Sequence, residues 1–215
     1  MIASNSHVEE FRDALESHAA DYDVEISPES MERLSAYYVL LNMWNPRLHL
    51  VAPCLPQEFA RRHILESLML LPHLPHAAKA ADIGSGAGLP IIPCLIARPD
   101  INATLIESSK RKAVFLREAL NRTDTSRSAK VITERFQEIA APDVAFVICR
   151  ALERFTHVLP SLIKWAPSTS TLLLFGGEAL RGKIETAGLS FTEIKIPHSQ
   201  RRFLFAARQV EKVLP

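Results

Sequence analysis

The 215-residue chain contains little cysteine, little glycine and no long apolar run. Its three cysteines, Cys54, Cys94 and Cys149, are odd in number and show no C-x-x-C spacing, which argues against a disulfide framework and a cysteine-based zinc site. No stretch approaches the roughly 18 consecutive apolar residues of a membrane span, and the start of the chain is acidic and polar, unlike a secretory signal. We therefore expect a cytoplasmic protein that is not held in a membrane.

The composition is that of an ordinary globular protein, with 47% hydrophobic and 23% charged residues. A single core stops growing near about 250–300 residues, so the length predicts one domain, or one domain with a smaller attachment.

The near-neutral net charge of +1 hides an asymmetry along the chain. Residues 1–76 carry 5 Lys/Arg against 11 Asp/Glu, whereas residues 77–215 carry 20 against 13, so the net charges are −6 and +7. Two interpretations are open. The surface is unevenly charged and solvated, or the basic part attracts a polyanion.

The first part, residues 1–76, has the periodicity of helices, with apolar residues spaced three and four apart. Ser27 is placed to cap a second helix whose first turn contains Pro28, and Pro46 is expected to close that helix. A third helix is predicted over Gln57–Leu71, ending before two prolines. Residues 1–76 are thus expected to form a helical N-terminal subdomain.

From residue 77 onward, short apolar segments alternate with helical ones. The predicted strands are Lys79–Ile83, Ala103–Ile106, Lys130–Thr133, Val144–Cys149, Thr171–Phe175, Phe191–Ile196 and Arg202–Ala207. The predicted helices are Ile91–Ala97, Arg111–Arg122 and Phe155–Trp165. This βαβ alternation predicts an α/β fold with a doubly wound, mostly parallel sheet, and the last two strands predict an antiparallel C-terminal hairpin.

The most informative segment is residues 81–90, A-D-I-G-S-G-A-G-L-P. A strand ends near Asp82 and three glycines follow at alternate positions, so the backbone can turn sharply and approach a ligand without obstruction by Cβ atoms. The segment is not a dinucleotide fingerprint, because no glycine completes G-x-G-x-x-G, and it is not a P-loop, because no G-K-[ST] follows. Binding of a pyrophosphate is therefore disfavoured.

This glycine loop, together with the acidic residue that ends the next strand, resembles the methyltransferases that use S-adenosylmethionine. That residue, Glu107, follows Gly84 by 23 positions. A carboxylate at the second strand end can accept both ribose hydroxyls, and Asp82 beside the glycines can lie near the amino group of the cofactor. Packing remains the alternative explanation for the glycines, and helix capping for Asp82.

A longer series of segments, from about Leu41 to Arg208, is similar to the glucose-inhibited division protein B family. The segments are L-N-M-W-N at 41–45, R-H-I-L-E-S at 62–67, the glycine loop, K-R-K at 110–112 with F-L at 115–116, Arg135, and C-R-A at 149–151. The resemblance implies a Rossmann-like class I methyltransferase fold with a seven-stranded sheet over residues 77–215. It also implies transfer of a methyl group from S-adenosylmethionine to N7 of a guanine in small-subunit (16S) ribosomal RNA.

The same resemblance implies a set of site residues. The residues expected to contact the cofactor are Asp82, Gly84, Gly86, Gly88, Leu89, Glu107, Phe136, Gln137 and Arg150. Arg150 would also face the reacting centre, together with three residues of the helical part, Asn45, Arg62 and His63. The alternatives are a salt bridge for Arg150 and a packed or capping role for His63.

The family's activity implies that the partner is small-subunit ribosomal RNA or the ribosomal subunit. We expect no metal, because the eight histidines show no spacing typical of metal ligands. We also expect a monomer. The chain departs from the family at three positions, with Gly176 in place of lysine, Phe203 in place of histidine and Glu66 in place of aspartate. Since these positions concern recognition of the base, two other hypotheses stay open: a methyltransferase of a small molecule or protein, and an RNA-binding assembly factor without catalysis.

Overall fold

The computed structural model describes residues 5–150 and 155–209. Its N-terminal part is helical. The segments are α1 (Asn5–His18), a 3-10 helix (Ala19–Tyr22), α2 (Pro28–Leu48), α3 (Pro56–Phe59), a π-helical segment (Ala60–Leu65), α4 (Glu66–Leu68) and a 3-10 helix (Leu71–His73). Within the described residues, no helix has the length and apolarity that crossing a membrane requires.

The start of α2 confirms the predicted cap, and its end corrects the prediction. The Ser27 hydroxyl accepts a hydrogen bond from the Ser30 N–H at 3.1 Å, and Pro28 is the first helical residue. Pro46 does not close the helix, which continues to Leu48 and ends at His49 in a left-handed conformation. Pro46 lacks the N–H that would bond to the carbonyl of Asn42, but because it lies in the last turn the helix loses only this one hydrogen bond before it ends.

The third predicted helix is divided rather than uniform. From Pro56 to Leu68 the helical chain has no interruption, but its middle, Ala60–Leu65, is a π-helix and only its ends are α-helical. A π-helix bonds each N–H one residue further back than an α-helix does, and such segments often occur at functional sites. The predicted helix is therefore confirmed in place, but it ends at Leu68 rather than Leu71, and its π-helical middle is not visible in the apolar pattern.

The seven predicted strands are all present. They are β1 (Lys79–Ile83), β2 (Asn102–Ile106), β3 (Ala129–Ile132), β4 (Phe146–Arg150), β5 (Thr171–Gly176), β6 (Ser190–Lys195) and β7 (Phe203–Arg208). Their order in the sheet is β3-β2-β1-β4-β5-β7-β6, with β7 antiparallel to both β5 and β6 and the other pairs parallel. The doubly wound sheet with its C-terminal hairpin is therefore confirmed.

Helices follow the first two strands and flank β5. They are α5 (Ile91–Ala97), α6 (Lys110–Arg122), α7 (Phe155–Trp165) and α8 (Glu178–Thr186). The first three were predicted and α8 was not. Its buried side chains are Leu180 and Ile184, and Gly182 lies between them, so the helix offers too short an apolar stripe for the pattern to be recognised.

The two faces of the sheet carry different packing partners. Alternate strand residues such as Ala80 and Ile148 join a core cluster that contains the buried side chains of α1, α2, α5 and α6. Their neighbours Ala81 and Val147 point to the other face, where they pack with α7 and α8. The N-terminal helices thus share one continuous core with the sheet, and this packing brings them to the ends of its central strands.

Candidate functional site

The glycine loop begins where β1 ends and is attached to the end of β2. The N–H groups of Gly84 and Ser85 both donate to the carbonyl oxygen of Ile106, at 2.9 and 3.2 Å. Gly84 and Gly86 have φ values of 68° and 54°, in the left-handed region that side chains rarely adopt. The loop therefore needs glycine at these positions, and it presents bare backbone at the carboxyl edge of the sheet.

Gly88 serves packing as well as the turn. Its φ is 81°, and a Cβ atom there would lie 2.3 Å from the Cδ1 atom of Ile92 and 3.2 Å from the Cδ2 atom of Leu116. The residue thus lets the loop pass close to α5 and α6. Leu89, which follows it, is buried in the core cluster that contains the N-terminal helices.

The Glu107 carboxylate is held beside this loop by two backbone donors. Its Oε2 atom accepts from the Gly86 N–H at 2.9 Å, and its Oε1 atom accepts from the Ser109 N–H at 2.7 Å. The residue is buried, just beyond the last residue of β2. Two N–H groups fix the plane of the carboxylate, and each of its oxygens keeps a lone pair for a further donor.

Asp82 lies one position before the end of β1 and is 1% exposed. Among the described residues its Oδ2 atom is buried and has no hydrogen-bond partner. Burial raises the pKa of Asp82 to about 7, and the negative charge of Glu107 adds to the effect. A buried carboxylate oxygen without a donor, beside a loop of bare backbone, fits a ligand that brings a cationic N–H group.

The N-terminal helices support the glycine loop from behind. The Tyr37 hydroxyl on α2 donates a buried hydrogen bond of 2.7 Å to the carbonyl oxygen of Ala87, and burial raises the pKa of this tyrosine. The sequence analysis missed Tyr37, because in a helical pattern it looks like one more core residue. A tyrosine hydroxyl in a fully buried position always requires a partner, and that requirement is the signal that could have identified it.

Arg150, the last residue of β4, joins the sheet to the π-helical segment. Its guanidinium donates to the Arg62 carbonyl oxygen, to the Ser67 hydroxyl at 3.3 Å and to the Glu66 carboxylate at 3.1 Å. Its Cζ atom also lies 5.4 Å from the centre of the Phe175 ring. With 13% of its side chain exposed, Arg150 is a buried cation, and burial lowers its pKa.

Glu66 connects Arg150 to a second arginine. Its carboxylate is 1% exposed and lies 3.1 Å from an Nη atom of Arg150 and 2.5 Å from an Nη atom of Arg202. Burial raises the pKa of Glu66, and the two arginines oppose that shift. One buried carboxylate between two guanidinium groups leaves a net positive charge at the carboxyl edge of β4.

Arg62 and His63 reach the same cluster from the π-helical segment. The Arg62 side chain is half-exposed and pairs with Glu58 at 2.5 Å, so its backbone carbonyl, not its guanidinium, contacts Arg150. The His63 ring lies 4.9 Å from the Phe59 ring, and burial together with Arg150 and Arg62 lowers the pKa of His63 to about 3. His63 is therefore neutral at physiological pH.

Asn45 lies at a separate place in the N-terminal helices. Its side-chain amide donates to the Val51 carbonyl and accepts from the Val51 N–H, each at 3.0 Å, and so holds the segment that follows α2. It also lines a cavity of about 540 Å³ to which His49 and Phe59 contribute. The described residues of the glycine loop and of the strand ends do not line this cavity.

Phe136 and Gln137 form part of a 3-10 turn beyond the end of β3. The Phe136 side chain is buried, with its ring centre 5.5 Å from that of Trp165, whereas Gln137 is exposed. The turn thus lies at the carboxyl edge with the other predicted residues, but the Phe136 ring contributes to the core. A ligand there would meet its backbone or Gln137.

The structure explains why Gly176 stands where the family usually has a lysine. A Cβ atom at Gly176 would lie 2.4 Å from the Cδ2 atom and 2.9 Å from the Cβ atom of Leu180 on α8. The space for a side chain is therefore occupied by Leu180, and no cation projects from this position. The cation found nearby is Arg202, at the end of the loop between β6 and β7, whose Nη atom lies 2.5 Å from the Glu66 carboxylate.

Most of the chain is similar to known proteins. The family model described as rRNA small subunit methyltransferase G matches residues 30–209. The chain belongs to this family. A protein named ribosomal RNA small subunit methyltransferase G from Acidiphilium cryptum is 40% identical over 150 residues, which are 68% of this chain and 65% of that protein. One of the same name from Paracoccus denitrificans is 34% identical over 161 residues, 73% of this chain and 81% of that protein.

Solved structures agree on the fold of this family member. TYW2 from M. jannaschii, solved in complex with AdoMet, superposes with a TM-score of 0.53 at 14% identity, covering 67% of this chain and 74% of that chain. A SAM dependent methyltransferase from Aquifex aeolicus superposes with a TM-score of 0.54 at 15% identity, covering 70% of this chain and 92% of that chain. The predicted class I methyltransferase fold is confirmed.

Proposed function

We propose that this protein transfers a methyl group from S-adenosylmethionine to N7 of a guanine in small-subunit (16S) ribosomal RNA. The observation that carries the proposal is the family match over residues 30–209, which includes both the cofactor edge of the sheet and the helices packed against it. The helical part, residues 1–76, supplies one wall of the site, and residues 77–215 supply the cofactor edge.

The residues at the carboxyl edge fit S-adenosylmethionine. Asp82 would hold the amino group with its unpartnered buried oxygen, and Glu107 would accept the ribose hydroxyls with the lone pairs left free by Gly86 and Ser109. Gly84 and Gly86 would leave room for the ligand. The adenine would lie near Phe136 and Gln137, and Gly88 and Leu89 would shape the loop from the core side. When bound, the cofactor supplies an electrophilic methyl group on a sulfonium.

The protein residues position the base rather than remove a proton. Guanine N7 carries an in-plane lone pair and no proton at neutral pH, so no general base is required. Approximation of this kind is worth about 7–11 kcal/mol in favourable models. Arg150 would face the base, and the neutral ring of His63 can donate or accept a hydrogen bond but does not act as an acid. Arg62 would contribute through its backbone carbonyl, which holds Arg150, whereas Asn45 lies apart from this edge and is given no role in positioning the base.

A run of cations near the cofactor edge supports an RNA partner. Lys110, Arg111 and Lys112 begin α6, only three residues after Glu107, and none of them forms an ion pair with another described residue. Cations at a helix start oppose the helix dipole, which favours a use outside the fold such as contact with phosphate. We propose a cytoplasmic monomer that acts on rRNA or the ribosomal subunit without a catalytic metal.

The test is to map N7-methylguanine in small-subunit rRNA from cells with and without this protein. We expect one guanine to lose the modification and to regain it when the wild-type chain, but not Glu107→Ala, is restored. An unchanged map, with methyl transfer to a metabolite or protein extract instead, would establish the small-molecule or protein alternative. Binding of rRNA without transfer to it would establish the assembly factor.

A further inference from the structure

Two histidines from opposite ends of the sequence share one carboxylate oxygen. His18 is the last residue of α1, Asp21 belongs to the 3-10 helix that follows, and His198 lies in the loop between β6 and β7. The Oδ2 atom of Asp21 is 3.1 Å from Nδ1 of His18 and 2.9 Å from Nε2 of His198. The three atoms all lie within 4.8 Å of one another.

This arrangement is close to that of a metal centre. Zinc binds imidazole nitrogen at about 2.0–2.1 Å and carboxylate oxygen at about 2.0–2.2 Å, so ligand atoms in a tetrahedral site are about 3.4 Å apart. The two distances from Asp21 would need to lengthen by only about 0.3–0.5 Å to reach that separation. The side chains of His18, Asp21 and His198 are 32%, 42% and 50% exposed, which allows both the adjustment and the entry of an ion.

We propose that His18, Asp21 and His198 bind a divalent transition metal ion of the zinc class. Two imidazoles and one carboxylate are a ligand set that suits zinc, and they leave a fourth position for water. Each neutral imidazole has one N–H and one lone pair. It needs only to carry its proton on the other ring nitrogen to offer a lone pair to the ion.

The site would connect two parts of the chain that also meet at the candidate active site. His198 and Arg202 belong to the same loop and line one cavity of about 260 Å³, together with Tyr22 and Glu66. Arg202 pairs with Glu66, which in turn holds Arg150. A bound ion would therefore fix this loop against the end of α1 and limit the movement of Arg202. Its role is structural and separate from the proposed methyl transfer.

The test is titration of the metal-free full-length chain with zinc chloride, followed by calorimetry. We expect one zinc ion per chain, with binding at least tenfold weaker in both His18→Ala and His198→Ala. His76→Ala is the matched control, because His76 is also exposed but lies in the connector before β1. Cobalt gives a second readout, since its visible absorption should appear with the wild-type chain and His76→Ala and disappear with His198→Ala.

Absence of zinc binding by the wild-type chain would overturn the proposal, as would equal binding by the wild-type chain and both alanine variants. Circular dichroism checks that each variant is folded. If an alanine variant unfolds, Asp21→Asn replaces it, because the amide keeps the size and hydrogen bonding of the carboxylate but is a poor zinc ligand. Unchanged zinc affinity in Asp21→Asn would equally exclude the site.

Discussion

Among individual residues, Asp82 has an environment that opposes its own ionisation. Its unfolded pKa is close to 3.8 and its folded pKa is about 7, because burial disfavours the charged form. Between these values the folded protein keeps a proton that the unfolded chain has lost. The free energy of unfolding therefore decreases as pH rises from about 4 to about 7. A site that stabilises charge for a ligand can reduce the stability of the ligand-free fold in this way.

Asp82→Asn should remove that pH dependence. Without cofactor, the melting temperature of the variant minus that of the wild-type protein should become larger as pH increases from 4 to 8, because the amide does not ionise. Cofactor affinity should decrease at the same time. Melting curves at several pH values measure the first effect, and Asp143→Asn, which is fully exposed, is the control. Parallel melting profiles for wild type and Asp82→Asn would contradict the assignment.

Glu107 should contribute directly to cofactor affinity. Its two oxygens are oriented by Gly86 and Ser109, and charge-assisted hydrogen bonds are worth about 1.5–3 kcal/mol each. Glu107→Ala should therefore weaken binding of S-adenosylmethionine by tenfold or more in calorimetry. Glu134→Ala, an exposed acidic residue after β3, should have the wild-type dissociation constant. An unchanged constant in Glu107→Ala would show that the carboxylate only holds the loop.

Arg150 should affect turnover more than RNA affinity. It contacts Arg62, Glu66 and Ser67 at the end of β4, whereas contacts to phosphate elsewhere would still hold the RNA. We expect Arg150→Ala to raise the dissociation constant of the cofactor and to reduce methyl transfer to small-subunit particles, with a much smaller loss of RNA binding. Normal cofactor affinity together with normal turnover would make Arg150 a structural ion-pair partner of Glu66.

Among the elements, the π-helical segment and α2 place the helical part against the sheet. The segment Ala60–Leu65 offers the Arg62 carbonyl to Arg150 and the His63 carbonyl to the Ser67 hydroxyl. Side chains thus partner carbonyl groups where the regular α-helical ladder is interrupted. On α2, Tyr37 does the same for the carbonyl of Ala87 in the glycine loop.

Tyr37→Phe tests the support that α2 gives to the loop. The Ala87 carbonyl would lose its buried donor, which costs about 1–3 kcal/mol, so both the melting temperature and cofactor affinity should decrease. The control is Tyr38→Phe on the same helix, whose ring stacks on Phe11 at 4.5 Å and lies away from the loop. Equal effects of the two substitutions on cofactor affinity would show that α2 does not act through the glycine loop.

In the whole molecule, the two parts of the chain carry net charges of opposite sign. Residues 77–215 carry a net charge of +7, and residues 1–76 carry −6. Polyanion binding by a basic surface releases counterions, so the affinity for rRNA should fall steeply as salt increases. Binding of the small cofactor should change little over the same range. Filter binding and calorimetry at several salt concentrations measure the two, and a flat response for rRNA would contradict a nucleic-acid substrate.

Much of the fold could be predicted because its signals are local. Each strand is a short apolar run, so the sequence predicts all seven. Ser27 and Pro28 predict the start of α2, because serine caps a helix and proline is tolerated in its first turn. Two elements could not be predicted from the sequence pattern, each for a physical reason. The π-helical segment is only six residues long, too short to change the apolar pattern of the helix around it, and α8 has a buried stripe of two residues with a glycine between them.

In the candidate site, the groups that could be predicted from the sequence are those placed by their position relative to a strand end. The glycines follow β1, Glu107 follows β2 and Asp82 lies one residue before the end of β1, and parallel strands bring their carboxyl ends to one edge. The roles of these residues in binding stay predictions.

The contacts between groups that are distant in the sequence depend on tertiary packing. Packing of α2 and the π-helical segment on the sheet places Glu66 between Arg150 and Arg202, and the β6–β7 loop brings His198 to Asp21. Such partners lie far apart in the chain, from 50 residues for Tyr37 and Ala87 to 177 residues for His198 and Asp21. No local pattern encodes such contacts, because they depend on how whole elements pack and on where burial removes water.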